Sequence, residues 1–330
     1  MRLSLCMIVK DEAFFIEECL ASAAPFVDEV VVVDTGSTDG TRKIAERYAD
    51  KVLDFEWIDD FSAARNTGLA AASGDWILVL DADERIAAED YPKLREAMST
   101  SEFDGFYLVQ RNYSDEELQL NWIAVTEPDE WSGPWAGYTE NPILRLFRRN
   151  QSIGYEGSIH EIVDGTISGP ARGTLDLPIH HYVDANPARS RLERASRYLV
   201  LMDRLLEKRD DGRIYGIAGS TALNASKDYA KAASYFRRAA ELGYEPLRSL
   251  EGAAEAAYRG GNYGEAQDLY RRLYDEGHRT ASLCLNLANL AVRSGDKSRG
   301  AQLLKECLSL GGMGPQTDET IRRNIEFLSA

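Results

Sequence analysis

The stretch Trp76-Ile-Leu-Val-Leu80-Asp81-Ala-Asp83-Glu84 joins an apolar run of five residues to two carboxylates spaced i, i+2. The run follows Gly74-Asp75 and ends in charge, which is typical of a strand buried on both faces, and such strands belong to parallel sheets. In these sheets the ligand lies beyond the carboxyl ends of the strands, where Asp81 and Asp83 fall. The stretch therefore predicts an α/β fold with a ligand site at these two acids.

The two carboxylates themselves indicate a cation. Their period-two spacing puts both on one side of an extended chain, and two acids held that close repel each other unless a cation neutralises them. Hard oxygen ligands suit Mg²⁺ or Mn²⁺ carried by a substrate phosphate. The alternative is a solvated strand end followed by a helix cap, and an Asp-x-Asp pair alone does not decide between the two.

The preceding segments predict three more strands of the same sheet, at Leu3–Val9, Glu29–Val33 and Lys51–Phe55. Each is followed by helical spacing, over 12–23, up to residue 48 and over 61–72. Because strand and helix alternate in this way, connection rules give right-handed crossovers and a parallel sheet. Lys10, Asp34 and Asp81 then all fall at carboxyl ends, which makes the site at that edge larger than the acid pair alone.

The turn Asp34-Thr-Gly-Ser-Thr-Asp-Gly-Thr41 follows the second strand. It is neither a P-loop, because no Gly-Lys-[Ser/Thr] follows, nor the dinucleotide fingerprint G-x-G-x-x-G. Its Ser, Thr and Asp residues are good helix N-caps, and its glycines suit a tight turn. The same turn would also present a carboxylate and backbone amides where a nucleotide's base and ribose could rest. Both interpretations stay open.

The middle of the chain predicts strands over Phe103–Gln110 and Ile143–Phe147, separated by an aromatic segment, 111–141, without clear periodicity. Long connections of this kind are usually functional loops or lids. The aromatic side chains could stack on a sugar or pack over the sheet, and we favour packing for most of them.

Three of the four histidines lie in two short segments after this loop, Tyr155-Glu-Gly-Ser-Ile-His160-Glu161 and Leu177-Pro-Ile-His180-His181-Tyr182. A lone histidine is more often structural than a ligand, but two such segments after an Asp-x-Asp pair favour a site role. On an extended segment His180 and His181 point to opposite sides, so one of them is predicted to be a core or surface residue. His160 has the alternative role of orienting Glu161.

The composition limits the classes of protein to which this chain can belong. The chain has 330 residues, 44% hydrophobic and 28% charged, which suits two soluble domains, and no apolar run approaches a membrane span. The net charge of −16 argues against sequence-independent nucleic-acid binding, which needs a basic footprint. Met1 leads directly into the first strand, so we expect a cytoplasmic location, with peripheral association at the inner membrane face left open. The four cysteines form no CxxC pair and are expected to be buried thiols.

An internal repeat occupies the last third of the chain. Segments beginning Lys227-Asp-Tyr229, Gly261-Asn-Tyr263 and Gly295-Asp-Lys297 align with offsets of 34 residues, and small residues recur at Ala232, Ala266 and Gly300. A 34-residue period with small residues where helices touch is the tetratricopeptide signature, and three copies are about the minimum for a stable stack. We therefore predict an all-α repeat domain that ends in a capping helix over 317–328.

Four ordered motifs occur in the first half of the chain: Leu5-Cys-Met-Ile-Val-Lys-Asp-Glu12, Val33-Asp-Thr-Gly-Ser-Thr-Asp-Gly-Thr41, Ala64-Arg-Asn-Thr-Gly68 and Leu80-Asp-Ala-Asp83. Together they resemble the family 2 glycosyltransferases of GT-A fold. The resemblance implies a mostly parallel, Rossmann-like sheet sandwiched by helices over residues 1–185. A linker helix and tetratricopeptide-like repeats would follow over 186–330. The chain is similar to the bacterial branch that joins these two domains. It is also similar to lipopolysaccharide-core glucosyltransferases in Arg145-Leu-Phe-Arg148 and Ile159-His-Glu161.

The resemblance implies a role for each matching position. The donor's nucleoside would be held at Val9, Glu12, Asp34, Thr35 and Arg65. Asp81 would face the ribose or donor sugar, and Asp81, Asp83 and His181 would hold a divalent Mn²⁺ or Mg²⁺ on the diphosphate. Glu161 takes the position of the catalytic base, and Asp83 acts in catalysis through the metal.

Simpler roles exist for some of these residues, namely an ion-pair partner for Arg65 and a first-turn helix acid for Glu12. Many members also have Asp-Asp-Gly-Ser where this chain has Asp34-Thr-Gly-Ser37. The second acid usually helps to recognise uracil, so this departure bears on the uridine donor that is otherwise implied.

The sequence thus predicts an inverting, metal-dependent glycosyltransferase that moves a sugar from a nucleotide-sugar donor, a UDP-sugar by resemblance, to a saccharide or polypeptide acceptor. The repeats would bind the acceptor or a protein partner, or pair subunits. One competing hypothesis is a nucleotidyltransferase on a similar sheet, which Lys10-Asp-Glu12 matches poorly. The other is a tetratricopeptide scaffold whose sheet domain binds a nucleotide sugar without catalysis.

Overall fold

The computed structural model describes residues 1–100, 102–115, 122–167, 172–182, 184–186, 191–311 and 313–329. The chain divides into two compact units, residues 1–187 and 188–330. The first unit is α/β and the second is helical, so the predicted fold class is confirmed.

The described part of the first unit contains nine strands and four α-helices. The strands are β1 (Leu3–Val9), β2 (Glu29–Asp34), β3 (Lys51–Asp54), β4 (Trp76–Val79), β5 (Glu84–Arg85), β6 (Gly105–Ser114), β7 (Trp122–Ala124), β8 (Gly137–Arg148) and β9 (Arg172–His181). The helices are α1 (Ile16–Ala23), α2 (Thr41–Ala45), α3 (Phe61–Ala71) and α4 (Tyr91–Thr100).

The strands form one mixed sheet in the order β3-β2-β1-β4-β8-β6-β9-β5, with β7 paired to β8. Strands β3, β2, β1 and β4 run parallel, as predicted from the alternation of strands and helices. Strand β8 is antiparallel to both β4 and β6, whereas β9 is parallel to β6. The first half of the sheet is therefore parallel, and its carboxyl ends form one edge.

Apolar residues cover both faces of the sheet because the inner strands β1, β2 and β4 carry them on both faces at most positions. Leu3, Leu5 and Met7 of β1 belong to one cluster, with residues of α1 and α4. Cys6, between them, belongs to a second cluster on the opposite face, beside Ala72 at the end of α3. Each fully buried side chain of this size contributes about 1.5–3 kcal/mol, so the two clusters hold the sheet edge in a fixed position.

The helix predicted over 12–23 begins only at Ile16. The preceding residues form a turn whose backbone amides are bound by the β2–α2 turn instead of by a helix. The amide of Glu12 donates to Thr41 Oγ1 at 2.7 Å, and that of Ala13 donates to Asp39 Oδ2 at 3.0 Å. Side chains at the start of α2 and in the turn before it therefore bind the backbone of residues 12 and 13, and α1 begins only after these residues.

The segment 111–141 contains strand structure that its sequence did not predict. Strands β6 and β8 pair from Gly105–Phe147 to Ser114–Gly137. Polar cross-strand pairs such as Arg111–Glu140, at 3.0 Å, stabilise this part of the ladder without an apolar alternation. The predicted packing role is confirmed for Trp131, whose ring stacks on His180 with centroids 4.3 Å apart.

The second unit contains helices α5 (Arg191–Lys208), α6 (Gly212–Thr221), α7 (Tyr229–Glu241), α8 (Pro246–Arg259), α9 (Tyr263–Asp275), α10 (Ala281–Arg293), α11 (Lys297–Ser309) and α12 (Pro315–Ser329). Helices α7, α9 and α11 begin 34 residues apart. The recurring small residues Ala232, Ala266 and Gly300 are buried in these three helices. The tetratricopeptide prediction is thereby confirmed, and α12 follows the last repeat.

Among the described residues, no helix combines the length and apolarity that crossing a membrane requires. All four cysteines are buried free thiols, as predicted. Burial raises the pKa of Cys6 to about 12, so this thiol is unreactive at neutral pH.

Candidate active site

Asp81 lies between two arginines just beyond the end of β4. Its Oδ1 atom accepts a hydrogen bond from Arg65 Nη2 at 2.9 Å, and its Oδ2 atom accepts one from Arg145 Nη2 at 2.7 Å. The Arg65 and Arg145 side chains are only 10% and 5% exposed, whereas that of Asp81 is 33% exposed. The two buried arginines therefore hold the Asp81 carboxylate in place, and the carboxylate remains accessible to a ligand.

Charge pairing sets the protonation of this group. Burial raises the pKa of Asp81, but the charges of Arg145 and Arg65 outweigh it and hold that pKa well below its usual range. Burial lowers the pKa of Arg145, and the charges of Asp81 and Glu84 in turn raise it above its ordinary value. Asp81 is thus a carboxylate at neutral pH, which suits it to accept hydrogen bonds from hydroxyl groups.

Glu84 connects the backbone of Asp81 to Arg145. The Glu84 side chain is fully buried. Its Oε2 atom accepts a hydrogen bond from Asp81 N at 2.8 Å, and its Oε1 atom accepts one from Arg145 Nη2 at 2.7 Å. Gln110 Nε2 donates to the same Oε1 atom at 2.5 Å. Backbone and side chain of Asp81 are therefore held by one connected network, in which buried hydrogen bonds reinforce each other.

Arg65 also links this network to the predicted base. Its Nε atom donates to Glu161 Oε1 at 2.5 Å, and both side chains are about nine-tenths buried. Arg65 therefore lies between Asp81, predicted to face the donor, and Glu161, predicted to activate the acceptor. The structure brings together these three residues that the sequence singled out.

The next residue of α3 fixes the segment that carries Glu161. Asn66 Oδ1 accepts a hydrogen bond from Tyr155 N at 2.8 Å, and Asn66 Nδ2 donates to Tyr155 O at 2.9 Å. The backbone of Phe61, at the start of α3, donates to Ser158 O at 2.9 Å. The Arg-Asn pair of α3 thus positions both the side chain of Glu161 and its loop.

Asp83 and His181 form the candidate metal pair. Asp83 Oδ2 lies 3.5 Å from His181 Nε2, and the side chains are 14% and 16% exposed. His181 Nδ1 lies 2.5 Å from Asn112 Oδ1. Because an amide oxygen only accepts, Nδ1 carries the hydrogen, and Nε2 is directed to the acid. The Asp83 carboxylate suits Mn²⁺ or Mg²⁺, whereas the imidazole of His181 suits transition metals, so the pair fits Mn²⁺ better than Mg²⁺.

Among the described residues, no three His, Cys, Asp or Glu side chains gather into a complete metal site. The remaining coordination positions would belong to substrate phosphate oxygens and water, as is usual for Mg²⁺. Asp81, the predicted third ligand, has both oxygens bound to arginines in this structure, and its part in metal binding stays a prediction. Burial lowers the pKa of His181, but its hydrogen bond to Asp83 raises that pKa above the ordinary value.

The predicted nucleoside residues line the neighbouring strand ends. Val9 O accepts from both the amide and the hydroxyl of Thr35, each at 3.0 Å. Asp34 Oδ1 accepts from the amides of Gly36 and Ser37 at 3.0 and 2.7 Å. Asp34 therefore stabilises its own turn. The predicted use of glycines in this turn is confirmed by the positive φ of Gly36 and Gly40, but the predicted N-cap role of its Ser, Thr and Asp residues is wrong, because the N-cap of α2 is Gly40, which has no side chain to cap that helix. The contact of these residues, and of Glu12, with a nucleoside stays a prediction.

His180 is the structural member of the histidine pair. It is 3% exposed, and its Nδ1 atom lies 2.7 Å from Tyr113 Oη. Burial lowers the pKa of His180 to about 4, so the ring is neutral. The prediction that one of the two histidines is a core or surface residue is confirmed, because His180 belongs to the core. His160 is exposed, and its backbone has φ of 50°.

No site role was predicted for Arg145 or Glu84. Two signals for Arg145 were available. It belongs to the segment Arg145-Leu-Phe-Arg148 that carries a family resemblance, and it is a single charge within the otherwise apolar Ile143-Leu-Arg-Leu-Phe147, where a buried charge requires a partner. Three buried polar atoms of this region, Arg65 Nη1, Arg145 Nε and Tyr155 Oη, have no hydrogen-bond partner among the described residues. Such orphaned groups are uncommon in native proteins, and they leave hydrogen-bonding capacity for water or a ligand.

The mixed sheet, with acidic side chains beside buried arginines at the end of a parallel strand, agrees with the α/β fold of GT-A type that the sequence predicted. Residues 4–159, slightly less than half of the chain, match the family model of glycosyl transferase family 2.

Curated relatives match over part of their length. A TPR repeat-containing protein of Synechococcus elongatus is 40% identical over 166 residues, which is 50% of this chain and 36% of that protein. The prophage-derived glycosyltransferase SunS of Bacillus subtilis is 27% identical over 194 residues, 58% of this chain and 42% of SunS. The matches thus span less than half the length of these relatives. Among solved structures, S. aureus TarS 1-349 in complex with UDP is similar at 16% identity and a TM-score of 0.48, over 84% of this chain and 92% of that one.

Proposed function

We propose that the protein is an inverting, metal-dependent glycosyltransferase that uses a nucleotide-sugar donor, with a UDP-sugar as the first candidate. The observation that carries the proposal is the grouping at one sheet edge of a metal-compatible pair, Asp83 and His181, with the ion-paired Asp81, Arg65 and Glu161. The match of residues 4–159 to the family model of glycosyl transferase family 2 supports the same activity.

Each residue has a definite task in this reaction. Asp83 and His181 would hold the divalent cation, which supplies neutralisation of the charge that grows on the leaving diphosphate. Asp81 accepts hydrogen bonds from hydroxyl groups of the donor. Arg65 orients Asp81 and Glu161 relative to each other, since it bonds to both.

Glu161 removes the proton from the acceptor hydroxyl as the acceptor oxygen attacks the anomeric carbon. The bond from that carbon to the diphosphate oxygen breaks, and the nucleoside diphosphate departs with the bonding electron pair. Direct displacement inverts the configuration at the anomeric carbon. General base catalysis by a positioned carboxylate contributes roughly 10²–10⁴-fold to the rate.

The acceptor is a saccharide or polypeptide, and the repeat unit binds it or a protein partner. Stacked helical repeats present extended surfaces suited to such ligands. The proposal thus assigns sugar transfer to the first unit and acceptor or partner recognition to the second.

The test is incubation with UDP-, GDP-, CDP-, dTDP- and ADP-sugars and Mn²⁺, with release of nucleoside diphosphate as the readout. Asp83→Ala is expected to lose Mn²⁺-dependent nucleotide binding, and Glu161→Gln to keep binding but lose release. Asp54→Asn is the matched control, because this carboxylate is 84% exposed. Absence of donor turnover, together with nucleotide binding unchanged in Asp83→Ala, would favour the non-catalytic scaffold instead.

A further inference from the structure

Arg145 and Glu84 have no part in the proposed chemistry, yet they make the closest buried contacts to Asp81. We propose that Arg145, anchored by Glu84, is a positioning residue that holds Asp81 in the orientation that binds the donor. This inference rests on the proposed function, because it assigns to Asp81 a contact with the donor.

The hydrogen bonds form a closed ring. Asp81 N donates to one oxygen of Glu84, Arg145 Nη2 donates to the other, and the same Nη2 atom donates to Asp81 Oδ2. The two Arg145 contacts are each 2.7 Å long. A side chain tied to its own backbone through two buried groups has little freedom to rotate, so the ring fixes the direction of the Asp81 carboxylate.

The two arginines on Asp81 differ in how firmly they are held. Arg65 divides its hydrogen bonds between Asp81 and Glu161. Arg145 bonds to Asp81 and to Glu84. Glu84 is fully buried and also accepts a hydrogen bond from Gln110. Each carboxylate oxygen has a second lone pair, so a hydroxyl of the donor can bind Asp81 while both arginines stay in place. Of the two arginines, Arg145 is the more firmly held, because its second partner, Glu84, is fully buried.

A purely structural ion pair is the competing explanation. Buried ion pairs are often replaceable by apolar or neutral groups without loss of stability, so stability alone gives little reason for this arrangement. Arg145 Nε is also buried without a hydrogen-bond partner among the described residues, and an orphaned donor costs stability. An arrangement that is costly to the fold but aligns a ligand-facing carboxylate fits a positioning role.

The experiment separates folding from donor binding by comparing one single and one double variant. Arg145→Met leaves Glu84 as a buried carboxylate without its cation, so its melting temperature is expected to fall. The double variant Glu84→Gln/Arg145→Met removes both charges but keeps an acceptor for Asp81 N, so most of the lost stability is expected to return. The ligand is whichever of UDP, GDP, CDP, dTDP or ADP the wild-type protein binds in calorimetry with Mn²⁺.

A positioning role predicts that the double variant, though stable, binds this nucleoside diphosphate about 10- to 100-fold more weakly than the wild type, as is typical when a residue that orients a ligand-binding side chain is lost. Arg145→Lys retains the charge beside Glu84 but cannot reproduce the planar geometry of a guanidinium. It is expected to fold normally and to bind at least about tenfold more weakly. Arg148→Met, on the same strand but beside Trp76 and Asp104, is the matched control with unchanged affinity.

Full affinity in Arg145→Lys, or recovery of both stability and affinity in the double variant, would overturn the inference and leave Arg145 as a structural ion-pair partner. If the wild-type protein binds none of the five nucleoside diphosphates, the proposed function fails and this inference fails with it. The two failures are distinguishable. Failure of this inference alone appears only in the variants, whereas failure of the proposed function already appears in the wild-type protein.

Discussion

His181 Nε2 lies 3.5 Å from Asp83 Oδ2, and the backbone is what brings them together. Strand β5 pairs antiparallel with β9, so that Glu84 lies opposite His181. The amide of Tyr182 also donates to Asp83 O at 2.9 Å. The pair is thus preorganised by the sheet before any metal or ligand binds.

Loss of either member of the Asp83–His181 pair is expected to weaken Mn²⁺ binding in the presence of a nucleoside diphosphate by at least about tenfold, because each is proposed to supply one protein ligand to the metal. Asp83→Asn and His181→Ala test this by calorimetric titration of Mn²⁺. Asn112→Ala, which removes the partner of His181 Nδ1, is expected to have a smaller effect of the same sign. Unchanged Mn²⁺ affinity in both direct variants would exclude this pair as the metal site.

Asn66→Ala is expected to lower turnover without weakening donor binding. The two hydrogen bonds from Asn66 to the Tyr155 backbone hold the loop that carries Glu161, and their loss is expected to reduce stability by about 1–3 kcal/mol. Calorimetry and release of nucleoside diphosphate, measured on the same preparation, distinguish the two effects. Asn66→Asp is the paired variant, since it keeps the acceptor for Tyr155 N but cannot donate to Tyr155 O. An equal loss of affinity and turnover would show that Asn66 serves the donor side instead.

The parallel half of the sheet was predictable because each of its strands is a short apolar run followed by helical spacing. Those patterns depend on the burial of each strand. Strands β1, β2 and β4 have buried apolar side chains on both faces, and β3 has partly buried ones, Val52 and Leu53. The β6–β8 ladder was not predictable to its full length, because polar pairs such as Arg111 with Glu140 stabilise it only after the strands have met. A pattern within one strand does not contain that information.

The site residues also differ in whether the sequence alone could predict them. Asp81, Asp83, Arg65 and Glu161 belong to motifs that can be recognised in the sequence, and the structure brings Arg65 into contact with both Asp81 and Glu161. The contacts of Arg145 and Glu84 depend on the insertion of β8 beside β4, which no periodicity indicates. The sequence therefore predicts the residues that face the ligand better than those that hold them.

Stability is expected to depend on pH through Glu29, at the sheet edge opposite the site. Its carboxylate is buried and accepts from Lys51 Nζ, Ser4 Oγ and Ser73 N at 2.8, 2.5 and 2.6 Å. Burial raises the pKa of Glu29, but the hydrogen bonds from Lys51, Ser4 and Ser73 outweigh it and lower that pKa from 4.5 to about 2. Because the pKa is depressed in the folded state, the stabilisation is present above pH 4.5 and is lost as the pH falls toward 2.

Glu29→Gln is accordingly expected to be less stable than the wild type by about 1–3 kcal/mol at pH 7. More than half of that difference is expected to vanish by pH 3, since the wild-type carboxylate gains little from its partners once the unfolded chain is protonated. Urea denaturation of both proteins at pH 7, 5 and 3 measures the difference. A gap between the two proteins that stays constant over this range would contradict the assigned cause.

The repeat unit contains a position where its own sequence predicts a stabilising change. Lys227 has φ of 55°, and Gly261 and Gly295, at successive 34-residue intervals, have φ of 80° and 91°. A left-handed conformation costs a residue with a side chain roughly 1–2 kcal/mol that glycine avoids. Lys227→Gly is therefore expected to stabilise the repeat unit by about 1 kcal/mol, and Lys227→Ala, which removes the charge but keeps a Cβ, is expected to change little. The midpoint of urea denaturation, followed by helical circular dichroism on the full chain, tests both; an equal gain in the two variants would assign the effect to the charge of Lys227 and not to its backbone.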